Sequence, residues 1–150
     1  MCMTINKPLN KVKVRKTLFP RTYYKVLFRS WSEYFQDWQY LTPYFNMDVV
    51  MDREYRIPDD EEWEFGELSP DSPRSYVDGG GFHLFRTKKG AMAEFSSHGW
   101  TAYTNYVIVK AVVPPGTEYV KGYYCGEKSI VVRRVKYKKS KKAIYVPYDD

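Results

Sequence analysis

The sequence predicts an α+β domain: a mainly antiparallel sheet with one strong aromatic helix over residues 31–42 and one short helix over 88–97. Three observations lead there. "NYVIVKAVV" is apolar at both parities, as a central strand covered on both faces must be. "SWSEYFQDWQYLTPYF" places Trp31, Tyr34, Phe35, Trp38 and Leu41 at the 3, 4 and 7 spacings of a helix face. The turn-forming "PPGT" and the basic "KKSK" separate short apolar runs, which suits strands joined by tight turns.

Taken in order, "KVKVRKTLF" alternates charge and apolar residues from Lys11 until Pro20 interrupts, and "RTYYKVLFRS" resumes as a buried strand from Tyr23 to Phe28. In the aromatic helix, Ser30 and Glu33 form a capping-box pattern and Pro43 supplies the stop. An aromatic stripe at this spacing reads as a core face. Residues 46–57 hold a strand around "DVVMDREYRI". From about 58 to 81 the chain is acidic and then rich in Pro, Ser and Gly, a long loop whose first half Trp63 and Phe65 pin to the body. "FHLFRT" is a short strand, and "KKGAMAEFSSH" a short helix with Thr87 placed to cap it and Gly99 to end it. "KSIVVRRVKY" and "KAIYVPY" read as two strands joined by "KKSK".

At 150 residues the chain fits a single domain, and its 18% aromatic content, with 15 Tyr, excludes a disordered polymer. Cys2, Cys125, His83 and His98 are the only soft ligands, so a four-ligand zinc site would need all of them, and no metal is expected. No apolar run has the length of a membrane span, and "MCMTINKPLNKVKVRK" lacks the apolar segment of a signal peptide. The expectation is a cytoplasmic protein, or one packed into a virion assembled there.

The net charge of +6 is unevenly spread. Residues 7–29 hold eight basic residues and no acidic one, and 121–142 hold nine against Glu127 alone. Residues 48–78 hold eleven acidic residues against Arg53, Arg56 and Arg74. Such segregation is either solvated surface or the two faces of a docking protein.

The densest stretch is "GGGFHLFRTKKGAMAEF". A phosphate-binding fingerprint needs its glycines after a strand and opening a helix, whereas these precede the strand and read as a flexible entry to it. His83 lies between Phe82 and Leu84, so in a strand it faces the side opposite both. A lone strand histidine is a structural residue or a catalyst, and no Ser or Cys nucleophile with a partner acid accompanies it.

The order "GFHLFRTKKGAMAEF", "YVIVKAVVPPGTEY", "GEKSIVVRRVKY" resembles the later half of the ADP-ribosyltransferase fold. Residues 79–137 also resemble small proteins of phages and mobile elements of gut bacteria that share a Gly-Phe-His strand and the "VKAVVPPGTEYVKG" pattern. The first resemblance implies NAD as cofactor, Glu127 as the acid that orients the nicotinamide ribose, His83 and Lys25 as catalytic partners, and Tyr24 and Phe85 beside the cofactor. The first family strand carries Arg or His where this chain has Lys25, and the Ser-Thr-Ser strand is replaced by His83, Leu84 and Phe85.

Three functions are therefore expected in turn. The first is a non-catalytic interaction or assembly protein, a phage or mobile-element component without a cofactor. It would bind a protein partner or its own copies through a basic surface of Lys11, Lys13, Arg15, Arg133, Arg134, Lys136, Lys138 and Lys139. The second is the NAD-dependent enzyme. The third is a nucleic-acid-binding module that stacks bases on Tyr23, Tyr24, Tyr123, Tyr124, Tyr137 and Tyr145 among basic strands.

Overall fold

A computed structural model describes residues 3–43, 47–67, 69–97 and 105–139. Among the described residues, thirteen strands follow one another: β1 (Met3–Ile5), β2 (Arg15–Lys16), β3 (Arg21–Ser32), β4 (Asp37–Leu41), β5 (Asp48–Val49), β6 (Glu54–Arg56), β7 (Glu64–Glu67), β8 (Ser75–Gly79), β9 (Phe82–Phe85), β10 (Asn105–Val113), β11 (Glu118–Tyr124), β12 (Glu127–Val132) and β13 (Arg134–Lys138). A 3-10 turn (Leu9–Lys11) precedes β2, and α1 (Lys88–Ser97) follows β9. All described pairings are antiparallel, in the order β6-β13-β10-β3-β9-β12-β11-β1-β8-β7, with β2 on β11 and β4 and β5 extending β3. The sheet curls into a half-barrel.

This corrects the expected α+β class. The fold is almost wholly antiparallel β, with one α-helix among the described residues. The aromatic helix expected at 31–42 is a hairpin: β3 runs on to Ser32, turns through residues 33–36, and returns as β4. The spacing misled because residues seven apart also meet across a four-residue turn. Trp31 and Trp38 are cross-strand partners, their rings edge-to-face at 5.3 Å. Tyr34 and Phe35, assigned to a buried stripe, stand at the tip, 88% and 65% exposed. The Ser32 hydroxyl accepts from the Phe35 N–H at 3.2 Å, and Gln36 takes φ 52, the left-handed conformation such a turn requires.

The segment at 58–81 is also more ordered than its composition suggests, since β7 and β8 form a hairpin within it. Its first half is held by Arg133, whose guanidinium donates to the carbonyls of Pro58 (3.1 Å) and Glu61 and lies 5.2 Å from the Trp63 ring centroid. Arg133 also interrupts the expected long strand, separating β12 from β13. The "KKSK" turn beyond Lys139, the "KAIYVPY" strand, Gly99, His98, Cys2 and Tyr145 lie outside the described residues.

Other local readings hold. β10 is central between β13 and β3 and buried at both parities from Tyr106 to Val109. Gly116 has φ 76 in the Pro-Pro-Gly-Thr turn. The Gly90 N–H donates to Thr87 Oγ1 at 3.0 Å, capping α1. The main core, including Tyr23, Leu27, Leu84, Val109 and Ile130, lies on one face of the sheet. Ala91 of α1 packs with Phe85 and Ile108 in a separate buried cluster.

Candidate functional site

Strand alternation builds a broad, open cleft. Residues two apart on β11 share a face, so Tyr119, Lys121 and Tyr123 line up together. The register adds Ile130 opposite Lys121, Lys128 opposite Tyr123, and Arg15 of β2 opposite Tyr119. β3 contributes Arg21 and Tyr23, and Arg86 follows β9, its N–H donating to the Lys128 carbonyl at 3.2 Å. Lys7 and Lys13 flank the 3-10 turn and close the side. The result is a cleft of about 800 Å³.

Its electrostatics are one-sided. Lys7, Lys13, Arg15, Arg21, Arg86, Lys121 and Lys128 line it, no Asp or Glu does, and all seven cations are exposed. Among the described residues none of the seven forms an ion pair. Tyr23 is buried in the wall, and burial pushes its hydroxyl pKa up; the neighbouring Arg21 and Arg86 charges offset this in part, and Tyr119 adds to it. The phenol therefore stays protonated as a donor. Lys121 Nζ lies 5.9 Å from the Tyr119 ring centroid.

The acidic middle of the chain turns its carboxylates elsewhere. Arg133 holds its backbone, and the nearby Glu118 accepts from Trp63 Nε1 at 3.5 Å.

The residues expected to be catalytic are not among those lining this cleft. Glu127 heads β12 beside the Cys125-Gly126 turn, paired with Tyr124. His83 pairs with Val131, four positions along the same strand and about 13 Å away at the usual rise. Lys25 is committed to Glu94 of α1, with Nζ 2.8 and 3.1 Å from its two oxygens. Burial, reinforced by the Lys25 charge, pushes the His83 imidazole down to about 3. The Asp78 backbone carbonyl lies close enough to oppose this, yet neither ring nitrogen has a hydrogen bond of normal geometry. Phe85 is wholly buried against Tyr124, ring centroids 5.8 Å apart, and Tyr24 is half-buried with Lys88 Nζ 5.9 Å from its ring. None of Glu127, His83, Lys25, Tyr24 and Phe85 lines the cleft, or the depression of about 420 Å³ beside β4 and β5.

The expected basic surface divides. Lys13 and Arg15 line the cleft, and Lys11 is exposed on the 3-10 turn next to it. Arg133 is buried, Arg134 pairs with Glu54 at 2.9 Å, and Lys136 and Lys138 lie along β13 opposite Val112 and Lys110. Lys139 borders the smaller depression. Sequence reasoning missed Lys7, Arg21, Arg86, Lys121, Lys128 and Tyr119 as site residues. Tyr-x-Lys-x-Tyr in "EYVKGYY", alternating on one strand face, was the available signal.

Among the described residues, no group of three or more His, Cys, Asp or Glu is placed to hold a metal ion, and no helix is long and apolar enough to cross a membrane. No family model, curated protein or solved structure matches the chain.

Proposed function

We propose that this chain is a non-catalytic binding module whose cleft takes single-stranded nucleic acid. One observation carries the reading: seven exposed cations, with no acidic partner among the described residues, converge with three tyrosines on a cleft that no described carboxylate lines. Each cation that meets a phosphate releases condensed counterions, a driving force present for any sequence. The more exposed Tyr119 and Tyr123 rings among these charges supply stacking surfaces that every base fits. A duplex hides its base faces, so the rings favour a single strand. An acidic peptide would satisfy the charges and leave the rings unused.

The test is fluorescence anisotropy with a labelled 20-nucleotide single strand at rising salt. Binding should weaken steeply, with a log–log slope of up to about −5 if all seven cations meet phosphates. Absence of binding at low salt, or equal affinity for a polyglutamate peptide of matched charge, would overturn the proposal.

A further inference from the structure

We infer that Leu18 and Phe19 form a base-stacking wedge at the Arg15–Arg21 end of the cleft, an inference that rests on the nucleic-acid reading above. These two side chains are 80% and 69% exposed, among the most exposed large apolar groups described. An exposed apolar pair on a loose loop would mean little. This loop is fastened.

Thr17, only 4% exposed, ties it to the Pro114–Thr117 turn through four hydrogen bonds. Its N–H donates to the Thr117 carbonyl at 2.9 Å, and its carbonyl accepts from the Gly116 N–H at 2.7 Å. Its hydroxyl donates to the Pro114 carbonyl at 2.7 Å and accepts from the Thr117 N–H at 3.0 Å. On the far side, Pro20 fixes its own φ, and Arg21 enters the sheet opposite Val113. The backbone at both ends of Leu18-Phe19 is thus set before any ligand arrives, so little ordering cost falls on binding.

The surroundings specify the occupant. Arg15 and Lys16 precede the loop and Arg21 follows it, and both arginines line the cleft. An apolar ring held out between cations fits a ligand carrying a flat apolar face and a phosphate on each unit. Apolar side chains used as wedges between bases, and rings used as stacking platforms, follow this chemistry. A bilayer surface would meet the loop, but it would not use the tyrosines and lysines within the cleft. The occupant is the base of the nucleotide that leaves the cleft past Arg15 and Arg21.

The test places 2-aminopurine, whose fluorescence is quenched on stacking, at successive positions of a 12-nucleotide single strand. With the wild-type protein, quenching should concentrate at one or two neighbouring positions. Phe19→Ala should remove it and weaken binding about tenfold, the loss of one stacked base, with an unchanged salt slope because no cation is lost. Phe19→Tyr keeps a ring and should restore both. If Phe19→Ala binds and quenches like wild type while Lys121→Ala with Lys128→Ala binds weakly, the cleft reading stands and the wedge is overturned. No binding by wild type overturns both. Sedimentation of wild type but not Phe19→Ala with phosphatidylserine vesicles, with oligonucleotide affinity equal for the two proteins, would assign the loop to a membrane instead.

Discussion

Lys25 Nζ lies 2.8 Å from a carboxylate oxygen of Glu94, and both side chains are almost wholly buried where β3 meets α1. Burial, and next the Glu94 charge, also push the Tyr137 hydroxyl above its usual range. Removing one partner leaves the other charged in a dry site. Lys25→Met should therefore cost about 3–5 kcal/mol, and Lys25→Met with Glu94→Leu should recover most of it. Urea unfolding measures both. A double variant as unstable as the single one would contradict the pairing.

His83 gives the fold an acid-side sensitivity. Its folded pKa is held at about 3 by burial first and the Lys25 charge second, against 6.5 in the unfolded chain. The unfolded state therefore binds the extra proton as pH falls. The contribution is complete above pH 6.5 and is lost from there down towards pH 3, by about 1.4 kcal/mol per pH unit. His83→Gln should flatten the stability profile between pH 6.5 and 5 relative to wild type. Parallel profiles for the two proteins would place His83 in a solvated site.

The 28–41 hairpin is stabilised by its tryptophan pair. A double-mutant cycle on Trp31→Ala and Trp38→Ala should give a coupling of about 0.5–1.5 kcal/mol. Gln36→Gly separates a hairpin from a helix, because position 36 already has a positive φ. It should avoid the cost of about 1 kcal/mol that glycine carries inside a helix. A full helical penalty in chemical unfolding would argue against the turn.

Gly122 belongs to the cleft strand β11, where that strand meets β1. A Cβ there would come 2.4 Å from the Thr4 carbonyl oxygen and 2.9 Å from the Met3 side chain. Gly122→Ala should lower stability by about 1–3 kcal/mol, through displacement of β1. Thermal unfolding of the variant checks this, and an unchanged midpoint would contradict the close packing.

Strands whose patterns are local were legible in the sequence. "NYVIVKAVV" announced a two-sided central strand, and Thr87 marked the start of the one described α-helix. The 31–42 segment was misread because its aromatic spacing fits a helical face and a hairpin equally well. Only the long-range packing of β3 on β10 decides between them. The cleft was hidden for a similar reason. Its cations come from residues 7–21, Arg86 and 121–128, three stretches that antiparallel pairing brings together and that no local window contains. The charge segregation was visible, but not that Arg133 and Arg134 serve the acidic middle while Arg15 and Arg21 form no ion pair among the described residues. The expected catalytic set rested on resemblance, and the register separates Glu127 from His83.

Charge reversal at two places compares the cleft directly with the other basic surface. One variant carries Arg15→Glu, Arg21→Glu and Lys121→Glu; the other carries Lys110→Glu, Lys136→Glu and Lys138→Glu along β10 and β13. The net charge change is identical, so a purely global attraction would weaken single-strand binding equally in both. The cleft account predicts loss of binding in the first variant and an affinity within about threefold of wild type in the second, at a salt concentration where long-range attraction is screened. Equal losses, or a larger loss in the second, would contradict it.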